Sequence, residues 1–458
     1  PNPVRLAPPR PGAPASPGDR GAVFSGLAHD EVLRAWRAAP ALRAEDHVAA
    51  LFYAGRAVRG RGSGDDLDHW GRHDAMQRGL QDNPAMLELL AACLEAVPTL
   101  APRRLARLLL ALGDTHEDLP FSHPDLPPDH VALLLSLADA ASSRLMSNWQ
   151  HLDEAASVDL DDRDLAFPLF ALSRLGVYSE PLFASASARL AAKLRAGRRL
   201  PAEAARQWLL ACNGVGHSLE GHEDAIAEYP AEAWRACDHG RLHQLAGALV
   251  FLRRPDPLLS RVLEEVNRRP VAQVGASSKT VALYGLQAAR LLADRGALGV
   301  AARVDGALAA RLDHWLEAKA AQVRRRSRLE YEVQVVLEAA GLQPTPDVVV
   351  GHGLSADFRC QAVAGSPLGG REGRVFYVEV DGPSHFCVRP RLRPRGRTVL
   401  KRRLFQALGL ELASVPFWLV RPNAAQARRR PGQLRAAPDD ARVQELEALL
   451  AAELARGP

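Results

Sequence analysis

Two acidic residues stand two positions apart near the C-terminus, in the stretch VFYVEVDGPSHF at residues 375–386. This stretch predicts a buried strand, and successive side chains of a strand point to opposite faces. Glu379 and Asp381 would therefore share one face and can converge on one cation. Asp357, on a preceding strand candidate, would supply a third carboxylate. Three carboxylates suit Mg²⁺, which takes oxygen ligands and keeps waters for phosphate chemistry, so these residues can form a magnesium site.

The same residues have a second interpretation. Glu379 and Asp381 can accept hydrogen bonds from Arg402 or from backbone amides, because buried carboxylates are usually paired. His385 can enter the site from the Gly382–Pro383 turn as a base, or it can cap or pack that turn. The sequence leaves these alternatives open.

A basic loop follows the predicted strand. The run RPRLRPRGR at residues 389–397 places five arginines on a Pro-rich loop, which can clamp phosphates or remain solvated. From Lys319 onward 23 Lys and Arg residues stand against 14 Asp and Glu, a balance of +9, while the first 318 residues carry 35 against 39, a balance of −4. A basic C-terminal part on a slightly acidic body favours a polyanionic partner, with a solvated basic face as the alternative.

The elements that must position these residues follow from the hydrophobic pattern. SRLE at residues 327–330 is a capping box, and the apolar stripe of the helix that it opens stops at Gly341. The runs DVVV and ADFRC and the stretch VFYVEVDGPSHF at residues 375–386 predict three strands. TVLKRRLFQALG predicts a helix capped by Thr398 that ends at Gly409, and a further strand and helix follow. The order α-β-β-β-α-β-α is a small α/β sandwich, which we assign to residues 319–458.

Residues 27–318 are predicted to be an all-helical array. The apolar helix cores LARLLLAL, LAFPLFAL, ARQWLLAC and LAGALVFL begin at Leu105, Leu165, Ala205 and Leu245, at successive offsets of 60, 40 and 40 residues. Stacked helix pairs of roughly 34–47 residues are typical of an α-solenoid, in which each unit buries its apolar face against its neighbours. We therefore predict an α-solenoid, with an irregular helical bundle as the alternative.

The composition argues against several classes of protein. The five cysteines include no CxxC pair, which argues against a disulfide framework or a zinc ribbon. No apolar run reaches transmembrane length, so no membrane partner is expected, and no GxxxxGK[ST] motif supports nucleotide binding. Residues 1–26 are rich in Pro and Gly and are expected to be extended or disordered. Because the chain begins with Pro1, we expect a processed or trimmed N-terminus.

One helical unit resembles known repeats. The stretch LDDRDLAFPLFALSRLGVYSEPLFASASARLAAKL, residues 160–194, resembles the units of octotricopeptide-repeat proteins and the helical repeats of the FAST kinase family. The pattern of these families runs through a Leu-Ala-Leu helix into Leu-Gly. The resemblance covers this unit well and the others poorly, and it implies single-stranded RNA along a concave face.

The C-terminal motifs resemble a second family. YVEVDGPSHF followed by TVLKRRLFQALGLELASVPFW resembles the RAP domain, a small C-terminal module of RNA-handling proteins in mitochondria and chloroplasts. The resemblance covers roughly residues 375–435, including the EVDGPSHF run and the Leu-Gly helix end. A helical-repeat body followed by a RAP domain is also the arrangement seen in that family.

The RAP resemblance implies a restriction-endonuclease-like fold. In that superfamily an Asp on one strand and a Glu/Asp-x-Lys on the next hold the metal and orient the attacking water. Asp357 and Glu379 match the acids, but Asp381 stands where the Lys belongs, unless Lys401 reaches the site from the following helix. The resemblance is compatible with two alternatives. The domain is either a nuclease with Asp357, Glu379, Asp381 and Lys401 as catalytic residues, or a scaffold that binds nucleic acid without hydrolysing it. We expect the scaffold.

These features predict an organellar RNA-binding protein, in the mitochondrion or alternatively the chloroplast, that acts in RNA processing, stability, translation or rRNA organisation. A structural subunit of an organellar ribosome, which clamps rRNA beside ribosomal proteins, is one alternative. A metal-dependent endoribonuclease is another. The residues expected to contact RNA are His385, Arg391, Arg393, Arg395, Arg397, Lys401, Arg402 and Arg403.

Overall fold

The computed structural model describes thirteen ranges of the chain: residues 23–25, 27–39, 41–60, 78–116, 126–150, 161–235, 237–252, 255–271, 280–320, 326–362, 374–390, 392–420 and 440–455. Contacts divide the chain into two compact units. The first comprises Pro1–Glu117 and Asp125–Leu145, and the second comprises Asp118–Pro124 and Met146–Pro458. The boundaries that the sequence suggests after residues 26 and 318 stay predictions.

The first unit is helical where it is described. Its helices are α1 (His29–Ala38), α2 (Ala44–Gly60), α3 (Pro84–Ala96) and α4 (Pro102–Thr115), and α5 (Pro128–Gln150) spans the division at residue 145. Local sequence explains where α3 begins, because the side chain of Asn83 accepts a hydrogen bond from the Ala85 amide and Pro84 stands at the first helical position. Helix α2 packs against α1, α3 and α4.

Helices also form the first part of the second unit. They are α6 (Asp162–Leu175), α7 (Glu180–Arg195), α8 (Ala202–Val215), α9 (Glu223–Ala227), α10 (His239–Leu249), α11 (Leu258–Asn267), α12 (Thr280–Asp294) and α13 (Gly306–Ala320). Helix α8 packs against α6 and α10, and α10 packs against α12. Helices α6 and α8 end at Gly176 and Gly216, which both adopt the left-handed conformation that favours glycine.

The C-terminal part of the second unit contains the sheet. Its elements are α14 (Arg328–Ala339), β1 (Leu342–Gly351), β2 (Leu354–Ala362), β3 (Val375–Asp381), α15 (Gly396–Ala407), β4 (Leu412–Pro416), α16 (Phe417–Val420) and α17 (Asp440–Ala455). The four-stranded sheet has the order β1-β2-β3-β4. Strands β1, β2 and β3 pair antiparallel, and β4 joins β3 in parallel through the α15 crossover. The predicted element order is therefore confirmed, with α16 as an added short turn of helix.

The two faces of the sheet are covered by different helices. One face forms an apolar core in which Phe376, Val378 and Val380 of β3 pack with residues of α14 and α17, including Val333 and Leu450. Helix α15 lies on the other face, where the Phe405 ring contacts the Tyr377 ring edge-on at 5.7 Å between centroids. Alternation along β3 thus gives one apolar face and one face for the polar residues, as the sequence predicts.

Some predicted boundaries of this region differ from the structure: β1 begins at Leu342, five residues before the predicted DVVV strand, and residues 417–420 after β4 are helical. The capping box of Ser327 and Glu330 is formed. Helix α15, however, begins at Gly396 and not after Thr398. The Thr398 hydroxyl donates to the carbonyl of His385 at 3.2 Å, so this residue ties a loop to the helix and does not cap it. The Gly-rich stretch AGSPLGGREG at residues 364–373, whose sequence predicts a hairpin, lies outside the described residues.

The chain is therefore mostly helical with a small mixed sheet near its C-terminus, as expected at the level of fold class. Within the described ranges, no helix is both long and apolar enough to cross a membrane.

Candidate functional site

Strand β3 brings Glu379 and Asp381 to the face that α15 covers. Both carboxylates are buried, with 7% and 0% of their surface exposed. Helix α15 supplies a cation to each of them, so the strand and the helix together form a charged layer of the second unit. We call the set Asp357, Glu379, Asp381, His385, Lys401 and Arg402 the carboxylate cluster.

Asp381 has two basic partners. Its Oδ1 atom lies 2.6 Å from Nδ1 of His385, and its Oδ2 atom accepts a hydrogen bond of 2.9 Å from Nη2 of Arg402. Burial alone would raise the pKa of Asp381, but the hydrogen bond and charge of His385, the Ser414 hydroxyl and the charge of Arg402 together lower it. Asp381 is therefore a carboxylate at neutral pH that holds the imidazole and the guanidinium in place.

Glu379 has one basic partner and a less favourable environment. Nζ of Lys401 lies 2.5 Å from its Oε2 atom. Burial raises the pKa of Glu379 to about 7, because the attraction of Lys401 only partly offsets the loss of solvation and the charge of Asp357 acts in the same direction as burial. Glu379 and Lys401 therefore form a pair whose proton is exchangeable near neutral pH.

Asp357 interacts with the backbone of the neighbouring strand. Its Oδ2 atom accepts a hydrogen bond of 2.7 Å from the amide of Val380, and the residue is 8% exposed. This bond fixes the carboxylate on β2 beside β3, where β2 pairs with β3 through Phe358 and Val378.

Each of the possible magnesium ligands Asp357, Glu379 and Asp381 contacts another group of the protein. Within the ranges that the structure describes, no group of three or more His, Cys, Asp and Glu side chains is placed to hold a metal ion. The physical reason is that each of the three carboxylates already faces a partner from the protein. The predicted hydrogen bond from Arg402 is formed to Asp381, whereas the backbone amide of Val380 donates to Asp357 and not to Glu379 or Asp381. Lys401 does reach Glu379 from the following helix.

Two arginines of the basic loop, Arg393 and Arg395, contact the ends of helices. Arg393 donates from Nε to the carbonyl of Val215 at 2.9 Å and from Nη2 to that of Gly216 at 2.7 Å, at the C-terminal end of α8. Its guanidinium also lies 3.8 Å from the centroid of the Tyr178 ring. A helix C-terminus carries unpaired carbonyls and a partial negative charge, so a cation is stabilising there.

Two further arginines bind the ends of neighbouring helices. Nη2 of Arg395, which is only 6% exposed, donates to the carbonyl of Ser173 at 3.0 Å, near the end of α6. Arg403 donates to the carbonyl of Val250 at 2.6 Å, directly after α10. Three arginines thus bind carbonyl groups at the C-terminal ends of α6, α8 and α10.

The backbone of the loop docks on the same helix ends. The amide of Val388 donates to the carbonyl of Gly176 at 2.7 Å, and the amide of Tyr178 donates to that of Arg389 at 2.7 Å. Gly396 approaches so closely that a Cβ atom there would lie 1.6 Å from the carbonyl oxygen of Asn213. We call residues 386–390 and 392–396, with Arg403, the docking segment.

The remaining basic residues predicted to contact RNA are at least partly exposed. Arg397 is exposed and donates to the carbonyl of Ser384 at 2.8 Å. The side chains of His385, Lys401 and Arg402 are 27%, 26% and 36% exposed. We call these four residues the basic rim. Arg391, also predicted to contact RNA, lies outside the described residues.

Sequence reasoning missed the docking segment because the helix ends were not considered as partners for arginine. A signal was present in LSRLGVY and ACNGVGH, where Gly176 and Gly216 directly follow the last residue of a helix, whose final carbonyls lack partners within the helix. No model of a known protein family matches the chain, and no curated protein sequence matches it significantly.

Proposed function

We propose that this protein binds single-stranded RNA through an α-solenoid and a RAP-type domain of restriction-endonuclease-like fold. The observation that carries the proposal is the regular recurrence of the helices. Helices α6, α8, α10 and α12 begin at residues 162, 202, 239 and 280, and each packs on the next. This spacing agrees with the repeat length of roughly 34–47 residues in helical-repeat proteins, many of which hold nucleic acid on an extended surface.

The C-terminal region supports the RAP-type part of the proposal. The EVDGPSHF run lies where strand β3 ends, and Lys401 takes the position beside Glu379 that a strand lysine would otherwise fill. The mixed sheet has helices on both faces, which is compatible with the fold that the RAP resemblance implies. The endoribonuclease with three carboxylate ligands for Mg²⁺ is not proposed, because those carboxylates are paired within the protein.

Phosphate contacts in this proposal come from the basic rim, while the docking segment holds the RAP-type domain on the helix ends. Affinity for RNA should then fall as salt rises, because each neutralised phosphate releases counterions. The test is a fluorescence anisotropy titration of the full chain with single-stranded RNA in a series of salt concentrations. Affinity that does not change between low and moderate salt would contradict the proposal.

The cellular role follows from the bound RNA. We propose an organellar location, in the mitochondrion or alternatively the chloroplast, and crosslinking in the native extract followed by sequencing identifies the target. Crosslinks at a few transcript sites indicate a processing or stability factor. Stoichiometric crosslinks confined to rRNA indicate a ribosomal subunit, and an absence of crosslinks would remove the RNA function.

A further inference from the structure

The Asp381–His385 pair fixes one tautomer of the imidazole. An ionised carboxylate only accepts hydrogen bonds, so the contact of 2.6 Å places a proton on Nδ1 of His385, and in the neutral imidazole the lone pair then lies on Nε2. Among the described residues, none donates to or accepts from Nε2. The side chain is 27% exposed. An imidazole held in this way is oriented to accept a proton from a molecule at the surface.

Lys401 is a second group that can carry a proton, and its partner Glu379 lies two residues before Asp381 on β3. Lys401 contacts Glu379, and His385 contacts Asp381. Glu379 and Asp381 are successive residues on one face of β3, and such positions lie about 7 Å apart because a strand rises roughly 3.3 Å per residue. The imidazole and the ammonium therefore contact the carboxylates of two successive residues on one face of a single strand.

The surroundings of these two groups favour an anion. Arg397 stands one turn before Lys401 on α15, so their side chains share a face of the helix. Arg397 also donates to Ser384, the residue before His385. Arg402 approaches from the same helix and is 36% exposed. Carboxylates are present, but Asp381 and Glu379 lie beneath the rim and are buried.

We propose that the basic rim cleaves single-stranded RNA by transesterification, with His385 as general base and Lys401 as general acid; this inference rests on the proposed RNA binding. Nε2 of His385 takes the proton of a ribose 2′-hydroxyl, whose oxygen forms a bond to the adjacent phosphorus. The bond from phosphorus to the 5′-oxygen breaks, and that oxygen takes a proton from the Lys401 ammonium. The products are a 2′,3′-cyclic phosphate and a 5′-hydroxyl, and solvent returns the proton from His385 to Lys401. The step needs no co-reactant.

Each residue of the cluster has a distinct part in this reaction. Arg397 and Arg402 neutralise the phosphate oxygens, on which negative charge increases in the transition state. Asp381 and Glu379 are positioning residues, which hold the imidazole and the ammonium. The 2′-hydroxyl is the nucleophile, so DNA and 2′-O-methyl RNA bind without being cleaved.

The test uses the full chain, a labelled single-stranded RNA and the same RNA with 2′-O-methyl groups, in a buffer that contains a chelator. We expect cleavage of the unmodified RNA only, with cyclic phosphate ends detected by mass spectrometry. His385→Ala should lower the rate by a factor of about 10² to 10⁴. His314→Ala, which removes an exposed histidine of α13, is the matched control and should leave the rate unchanged.

Two further variants separate the positioning of the base from the binding of phosphate. Asp381→Asn should lower kcat about tenfold or more, because it releases the imidazole, and should change KM less, because Arg397 still contacts the phosphate although Arg402 loses its partner. Arg397→Met should raise KM and also lower kcat, because Arg397 neutralises charge that increases in the transition state. Anisotropy measured in the same samples reports binding separately. RNA that binds but is not cleaved, or is cleaved equally by His385→Ala, would overturn this inference and leave the proposed function standing, whereas RNA that does not bind at low salt would overturn both.

Discussion

The two sides of α15 use basic residues in different ways. On the side toward the sheet, Lys401 and Arg402 face the carboxylates of Glu379 and Asp381. On the side toward the helices, Arg403 donates to the backbone carbonyl after α10, and the docking segment binds the ends of α6 and α8. Side-chain carboxylates attract the cations on one side, and the unpaired carbonyls of helix ends attract them on the other.

This comparison teaches how to weigh the basic charge of the C-terminal region. Its balance of +9 suggests a surface for a polyanion, yet Arg393, Arg395 and Arg403 form internal contacts with helix ends. Net charge alone therefore overstates the number of cations that can meet a phosphate. The contacts with RNA are expected at the basic rim.

The largest expected effect concerns the side of α15 that faces the helices. Gly396→Ala would place a Cβ atom 1.6 Å from the carbonyl oxygen and 2.6 Å from the carbonyl carbon of Asn213. Because these atoms belong to backbone, one chain segment must move. We expect the free energy of unfolding to fall by about 4 kcal/mol, or the variant not to fold. Urea unfolding followed by circular dichroism measures the change.

Gly382→Ala is the matched control for Gly396→Ala. A Cβ atom at Gly382 would meet no atom within 4 Å, and its φ of −62° suits any residue. Its unfolding free energy should stay within about 0.5 kcal/mol of the parent value. Equal stability of the two variants would show that the docking segment does not contact α8 as described.

Removal of one helix-capping arginine should have the next largest effect. Arg395→Met retains the apolar stem but loses the charged hydrogen bond to the carbonyl of Ser173, which is left without its cation. We expect a loss of about 2 to 3 kcal/mol in the free energy of unfolding. Arg397→Met, at an exposed position two residues later, should cost about 0.5 kcal/mol or less, and a similar loss in both variants would argue against the capping role.

On the sheet side, the dependence of stability on pH tests the Glu379–Lys401 pair. The pKa of Glu379 is raised from 4.5 to about 7 in the folded chain, so the folded state binds more protons between these values. The stabilisation is complete at low pH and is lost as pH rises through the folded-state pKa. We compare the unfolding free energies of the parent and of Glu379→Gln at each pH. The value of the parent minus that of the variant should decrease by about 2 kcal/mol between about pH 5 and about pH 8. Urea unfolding at intermediate pH values measures this difference, and a constant difference would contradict the assignment.

Asp381 should behave in the opposite way. Its pKa is lowered in the folded chain, so its contribution is present above its ordinary pKa and is lost as pH falls through the folded-state value. Asp381→Asn should therefore remove a stabilisation that is seen at neutral pH and absent in strong acid. The two variants together distinguish the two carboxylates, although they are neighbours on one face of β3.

Much of the C-terminal fold could be predicted from short-range sequence signals. The capping box at Ser327 and the alternation of β3 depend on residues close in sequence, and both were found. The start of α15 was placed wrongly, because the bond of Thr398 to His385 and the approach of Gly396 to Asn213 depend on distant residues. Local propensity does not contain that information.

The candidate site was predicted in its membership but not in its chemistry. The sequence analysis predicted that Asp357, Glu379, Asp381 and Lys401 lie close together. In the structure β2, β3 and α15 hold them in one layer. The sequence also left open whether the carboxylates bind a metal or other side chains, since composition does not show how α15 is rotated over the strand. The rotation that places Lys401 and Arg402 on the carboxylates decides in favour of pairing.

The most direct test of the account measures RNA affinity as a function of salt for the full chain and for Arg397→Met, by fluorescence anisotropy with one single-stranded RNA. We predict that the logarithm of the association constant falls linearly with the logarithm of the salt concentration, and that the slope of the variant is shallower by about 0.7. Binding that is independent of salt, or an identical slope in the variant, would contradict the claim that the exposed basic rim meets the phosphates of RNA.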